Sequence, residues 1–166
     1  MNSAGDPGSE PPDHALGRSR GGLSTKIHQL VGGRGRPMVI ALTAGQAGDS
    51  PMLKHLLADL AVARLGPGRP RPRPDALLAD KAYSSKANRD LLRTKKVRVV
   101  IPEPPSRASQ ETGIRRRSAT YKNRNVVERS FNDYKQWRGL TTRYDKRATT
   151  YRGGVTLRAI VIWLRH

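Results

Sequence analysis

Tyr121, Arg124, Glu128 and Lys135 stand in one stretch, Tyr121 to Lys135, that contains no Pro or Gly. In a helix turning about 100° per residue they fall within an arc of roughly 60°. A carboxylate flanked by cations on such an edge can bind a divalent metal while the cations hold a phosphate backbone. It can equally be an exposed Arg124–Glu128 pair four residues apart, contributing a few tenths of a kcal/mol. Taken alone, the stretch favours the ion pair, because such pairs are common. A second acid of interest is Asp80, which follows the apolar run Ala76-Leu77-Leu78-Ala79. The carboxyl end of a buried strand is where open α/β sheets place their chemistry. The competing reading is a strand-end Asp that caps the next helix, but Ser84 or Ser85 is better placed to do so, which leaves Asp80 without that role.

The elements that must position these residues can be read in order. Residues 1–22, rich in Gly, Pro, Ser and charge, are expected to be a disordered basic arm in which Arg18 and Arg20 contact phosphates or are simply solvated. Leu23, Thr25 and Ile27 alternate in a strand reaching Val31, and Met38 to Leu42 reads as a more buried strand. The Gly-rich turn between them predicts an antiparallel hairpin. Asp49 or Ser50 as cap, Pro51 at the first position, and an apolar face of Leu53, Leu56, Leu57, Leu60 and Ala61 predict a helix over 51–64, with His55 off that face. Gly66 to Pro74 is a basic, proline-rich connector that tracks a phosphate backbone or is a stiff solvated loop. Strand 76–79, helix 85–95 and strand 97–101 then predict a right-handed crossover with a parallel pair. Residues 102–120 read as a flexible basic loop. The helix carrying Glu128 follows, with Val127, Phe131 and Tyr134 as its apolar stripe. Thr141 to Lys146 is a short basic connection. A terminal helix over Thr149 to Arg165 turns Val155, Ala159, Ile162 and Trp163 inward, its first turns weakened by Gly153-Gly154.

Lys plus Arg number 32 against 13 acids in 166 residues, a formal charge of +19. That is the footprint of a polyanion binder, and nucleic acid is the favoured partner. Membrane surfaces are anionic too, but no apolar run approaches the roughly 20 residues of a spanning helix. A ribosomal-type structural protein would carry the same charge, so charge alone does not imply catalysis. The chain has no Cys. That excludes disulfides and thiolate zinc sites and fits a reducing cytoplasm. The first residues lack the apolar core of a signal peptide. The length suits one domain with a modest core.

Four segments join the Tyr121–Arg124–Glu128–Lys135 spacing in one resemblance. They are Gly17 to His28, Gly45 to Ser50, Leu78 to Tyr83, and Gln136 to Leu140. Together they resemble, over nearly the whole chain and in order, the DDE-class insertion-sequence transposases with a Tyr–Arg–Glu–Lys signature. The resemblance implies an α/β fold, a ribonuclease-H-like mixed sheet flanked by helices. It also implies three carboxylates holding two divalent cations, usually magnesium, for DNA strand cleavage and strand transfer. Asp80 matches the second carboxylate and Glu128 the third. Tyr121, Arg124 and Lys135 match residues that grip DNA near the cleaved phosphate, transposon ends being the implied DNA partner. Arg and Lys suit phosphate through charge and forked donors.

The first carboxylate of the family precedes the segment matching Gly17 to His28, on a central strand. Only the Pro/Gly/Ser arm occupies that place here, and neither Asp6 nor Asp13 has an apolar strand beside it. The expectation is a partial catalytic domain over 23–166 lacking its first strand, with two sheet edges left without partners. The missing part would come from an upstream-frame transposase fragment or be lost. An alternative is a non-catalytic DNA-binding remnant that inhibits the intact enzyme. A cytoplasmic, nucleoid-associated location fits either. The isolated chain should show no transposition activity; cleavage of a terminal-repeat DNA by the purified chain with magnesium would contradict this.

Overall fold

The computed structural model describes residues 14–101, 125–145 and 147–165. Most of the expected arm, the 102–120 loop, and Tyr121 and Arg124 lie outside the described residues. Strands β1 (Gly17–Ser19), β2 (Gly22–Val31) and β3 (Pro37–Ala44) form one antiparallel sheet in which β2 pairs with both others. The β2–β3 hairpin is the one expected. β1 is not: Gly17–Ser19 is ordered as strand, correcting the reading of that part as arm. Alternation of polar and apolar residues is too short there to signal a strand, and the pairing is supplied by β2. A Cβ at Gly17 would lie 1.7 Å from Gln46 Oε1 and 2.8 Å from Ala44 Cβ, so any larger residue there would force the Gln46 side chain to move.

Helix α1 (Met52–Ala58) is shorter than the expected 51–64. Leu60 is still buried, but the chain turns so that Val62 bridges Arg71 across the proline-rich connector. Strand β4 (Ala76–Leu78) pairs in parallel with β5 (Arg98–Val100), and helix α2 (Lys86–Thr94) crosses between them as the sequence predicts. Ser85 caps α2, its hydroxyl accepting from Asn88 N. Helices α3 (Asn125–Lys135), α4 (Arg138–Thr142) and α5 (Ala148–Leu164) complete the described chain. α4 occupies part of what the sequence suggests is a plain connection.

Both faces of the β2–β3 hairpin are covered, which is why its residues are apolar on both sides. Val39, with Leu30 and Ala41, packs on Leu56 and Leu60. On the opposite face Ile27, Ile40 and Leu42 pack on Tyr134, Tyr151, Val155, Ala159 and Ile162. A further cluster joins Leu53 and Leu57 to Leu77, Leu92, Val97 and Ile101, tying α1 to the β4–β5 pair. The architecture is mixed α/β with helices on two faces.

Helix α5 buries Val155, Ala159 and Ile162 as expected, but Trp163 is 45% exposed. Its indole N–H donates to Pro37 O and Arg36 stacks 5.0 Å from its ring, so it covers the strand end rather than filling the core. The inward position goes instead to Arg158, whose Nε donates to Asp133 O at 2.9 Å and fixes α5 to α3. Leu92 is fully buried in the α1–α2–β4 cluster. Leu92→Ala should therefore cost about 2–5 kcal/mol, read as a lower urea midpoint at unchanged slope; a midpoint equal to wild type would contradict this packing.

Candidate active site

Asp80 and Glu128 line one cavity of about 360 Å³. Its floor is Ile27 to Leu30 of β2, with Leu53 of α1 on one side and Val127 and Phe131 of α3 on the other. Two contacts set the rotation of α3 that aims Glu128 this way. Ser130, 2% exposed, donates to Gln29 Oε1 of β2 at 3.3 Å, and Tyr134 is sunk in the α5 cluster. With these two inward, helical spacing turns Val127, Glu128 and Phe131 to one flank. Lys135, seven residues from Glu128, lies on the same helical edge, exposed, and does not line the cavity.

Asp80 sits just beyond β4 and is exposed. Its Oδ1 accepts from Lys81 N at 2.6 Å and caps the 3-10 turn Lys81–Tyr83. The sequence argument that left Asp80 without a capping role is thus corrected: Ser85 caps α2, and Asp80 caps the shorter turn before it. One oxygen engaged with an amide leaves the other available to a ligand. Arg18 lies in β1 and Arg20 in the turn after it; both are exposed and outside the cavity.

The sequence pointed to no site role for two residues of the cavity, Asp49 and His28. Asp49 belongs to the Gly45–Ser50 segment, where a helix-cap role masked it. Its carboxylate lies 3.1 Å from Lys26 Nζ and 3.9 Å from His28 Nδ1. Lys26 also donates to Ala47 O at 2.8 Å, which anchors the loop carrying Asp49. His28 is 4% exposed, with Nε2 2.7 Å from Thr43 Oγ1. Burial lowers its pKa, Asp49 opposes that shift, and Lys26 adds to it. Tyr83 lines the same cavity, its phenol pKa raised by burial and then by Asp49 and Asp80.

A second cavity, of about 290 Å³, continues the first along β2 and β4. Ile27 and Asp80 lie at the first cavity, Gly33 and Ala76 at the second. β2 therefore runs away from the acids and β4 toward them, so the two strands are antiparallel with a slot between. The Gly45 N to Ser24 O bond extends the β2–β3 ladder. By the period of two, Ser24, Lys26 and His28 direct their backbone groups to β3. Ile27 and Gln29 direct theirs to the slot, beyond the Gly22–Ser24 stretch that pairs with β1, and there no described strand receives them. Gln29 Nε2 is buried there without a hydrogen-bond partner among the described residues.

Oxygen donors of this kind suit hard divalent cations. In number they fall short: among the described residues no group of three or more His, Asp or Glu side chains is placed to hold a metal ion. Asp80 and Glu128 thus share a cavity without forming a complete metal cage.

Comparison with known proteins bears on what this cavity serves. The family model described as Transposase DDE domain matches residues 4–164. A putative transposase for insertion sequence element IS6501 from Brucella ovis is 33% identical over 144 residues, covering 86% of this chain and 100% of that relative. No solved structure matches.

His28 gives the cavity a pH signature. Its folded pKa lies below the ordinary 6.5, so the unfolded state binds the proton more readily. The associated stability is fully present above about pH 6.5 and is lost as pH falls through the lowered folded value. Denaturant unfolding from pH 7.5 to 5 should show this loss, and His28→Gln should flatten it; equal slopes in the two proteins would contradict the assignment.

Proposed function

This chain belongs to the transposase DDE-domain family, and on that premise we propose that its cavity is the metal-binding and DNA-cleaving site of an insertion-sequence transposase. The observation that carries the proposal is the meeting of Asp80 and Glu128, from separate elements, in one cavity. Those are the two acids that the sequence resemblance singles out. A non-catalytic DNA-binding remnant makes no demand that they meet, so this observation favours the catalytic reading.

Asp80 and Glu128 would hold a divalent cation of the magnesium class through hard carboxylate oxygens. When bound, such cations activate the attacking water or 3′-hydroxyl and stabilise the leaving 3′ oxygen of a phosphodiester. The chain's own tasks are to fix the two carboxylates and to hold the DNA. α3 holds Glu128 through the Ser130–Gln29 contact and the burial of Tyr134, and the 3-10 turn orients Asp80. Lys135, on the edge of α3 that carries Glu128, with Tyr121 and Arg124, would grip the phosphates beside the scissile bond, while Arg18 and Arg20 would add contacts at the β1–β2 turn.

We read the fold as ribonuclease-H-like with one strand position unfilled by the described residues. The slot between β2 and β4 supports this reading. A strand lying there antiparallel to β2 would be parallel to β4, and would join the two sheets into one. Its carboxyl end would reach the Asp80 end of the slot, where a third carboxylate would complete the metal cage. The strand would come from residues outside those described or from a separate fragment. The partner is DNA, the transposon ends, and the location cytoplasmic and nucleoid-associated. No helix among the described residues is long and apolar enough to cross a membrane.

Expression from the intact element, with excision and insertion scored in cells, tests the proposal. Asp80→Asn and Glu128→Gln should each lower activity by about 10²–10³-fold, the scale of losing one charge-stabilising group, while the purified variants still bind DNA. Wild-type activity in either variant would overturn the reading.

A further inference from the structure

On the other flank of α3, away from Glu128, lies a separate cavity of about 390 Å³. Its walls are the β2–β3 turn at Gly33, Arg34 and Gly35, the α3 residues Arg129 and Asp133, and Arg165 after α5. Three guanidinium-bearing residues thus face one space that holds a single acid. Asp133 is already shared, with Arg158 Nη2 and Arg165 Nη1 each at 3.9 Å. Arg34 and Arg129 have no ion pair or hydrogen bond from their side chains to any described residue. The turn closes through Gly35 N to Gly32 O, and a positive φ of 83° at Gly35 shapes it. The amides of Gly33 and Arg34, at its centre, make no backbone hydrogen bond among the described residues.

We propose that this cavity is a second DNA-contact site, taking backbone phosphates of duplex DNA on Arg34, Arg129 and Arg165. Unneutralised guanidiniums converging on a space are costly through mutual repulsion unless an anion joins them. Their forked donors match phosphate oxygens, and the turn amides add neutral donors. Asp133 orients Arg165 without cancelling the whole charge. The site lies across α3 from the acids, about the 10–12 Å thickness of a helix away. It therefore positions the duplex and takes no part in bond breaking. This rests on the DNA-processing reading given above, but its test needs no cleavage.

The test is fluorescence anisotropy of the full chain with a labelled duplex of arbitrary sequence, across a range of NaCl. Losing two phosphate contacts in Arg34→Ala/Arg129→Ala should reduce the slope of log affinity against log salt by about 1.8, at about 0.9 per phosphate. Arg34→Lys/Arg129→Lys should keep most of the slope. Lys54→Ala/Lys86→Ala removes the same charge from exposed positions on α1 and α2, and should leave the slope unchanged. Thermal unfolding of each variant checks that the fold is intact. Equal effects of the arginine and lysine pairs would overturn the site, because charge alone would then explain binding. Binding of inorganic phosphate at this cavity with no duplex binding would overturn the assignment to DNA. A chain that binds duplex here and whose complete form never cleaves it would sink the proposed function and leave this inference standing.

Discussion

Strand β2 has two edges with different fates, and that difference organises the molecule. One edge is paired with β3 along most of its length. The other is paired with β1 only at its start, and then presents the backbone groups of Ile27 and Gln29 to a slot that ends at β4. Backbone donors and acceptors buried without partners are costly, on the order of a lost hydrogen bond each. The two helical layers pack against both faces of β2 and β3 regardless, so the slot is walled by α1 and α3 and not closed by collapse. The acids stand at one end of it because β4 runs toward that end and α3 is rotated by Ser130 and Tyr134 to aim Glu128 there.

Charge follows the same division. The face that carries Asp80, Glu128 and Asp49 concentrates acids in a chain with 32 Lys and Arg against 13 acids. Lys26 and His28 hold the Asp49 side, at distances of 3.1 and 3.9 Å. The Lys26–Asp49 pair is more than a third exposed on both partners, so its contribution to stability is small. Its structural effect is to keep the 45–50 loop at the mouth of the cavity. The opposite flank of α3 carries Arg129, and so a single helix separates an acidic cleft from a basic one.

Periodicity made much of this legible. The hairpin, the strand–helix–strand crossover, the Ser85 cap and the inward face of α5 at Val155, Ala159 and Ile162 all follow from spacing and turn residues. What escaped did so for local physical reasons. β1 is three residues long and is ordered by its partner rather than by its own pattern. α1 ends early because Val62 pairs across the connector, a tertiary contact that no helical spacing announces. Trp163 looks like core by position but reaches out to cap Pro37. Asp80 looks uncommitted until the 3-10 turn appears, since a single turn leaves no periodic trace. Asp49 could have been found: it stands in one of the segments that carry the resemblance, beside a loop rich in Gly, and only the helix-cap reading drew attention from it.

The account turns on Asp80 and Glu128 acting on the same cation. A double-mutant cycle for Mn²⁺ affinity, followed by the loss of the free-ion paramagnetic resonance signal, measures that directly. Asp80→Asn and Glu128→Gln should each weaken binding, and their combination should cost less than the sum, with a coupling of about 0.5–3 kcal/mol as for groups in one network. Strict additivity, or tight Mn²⁺ binding that survives in the double variant, would contradict the shared site.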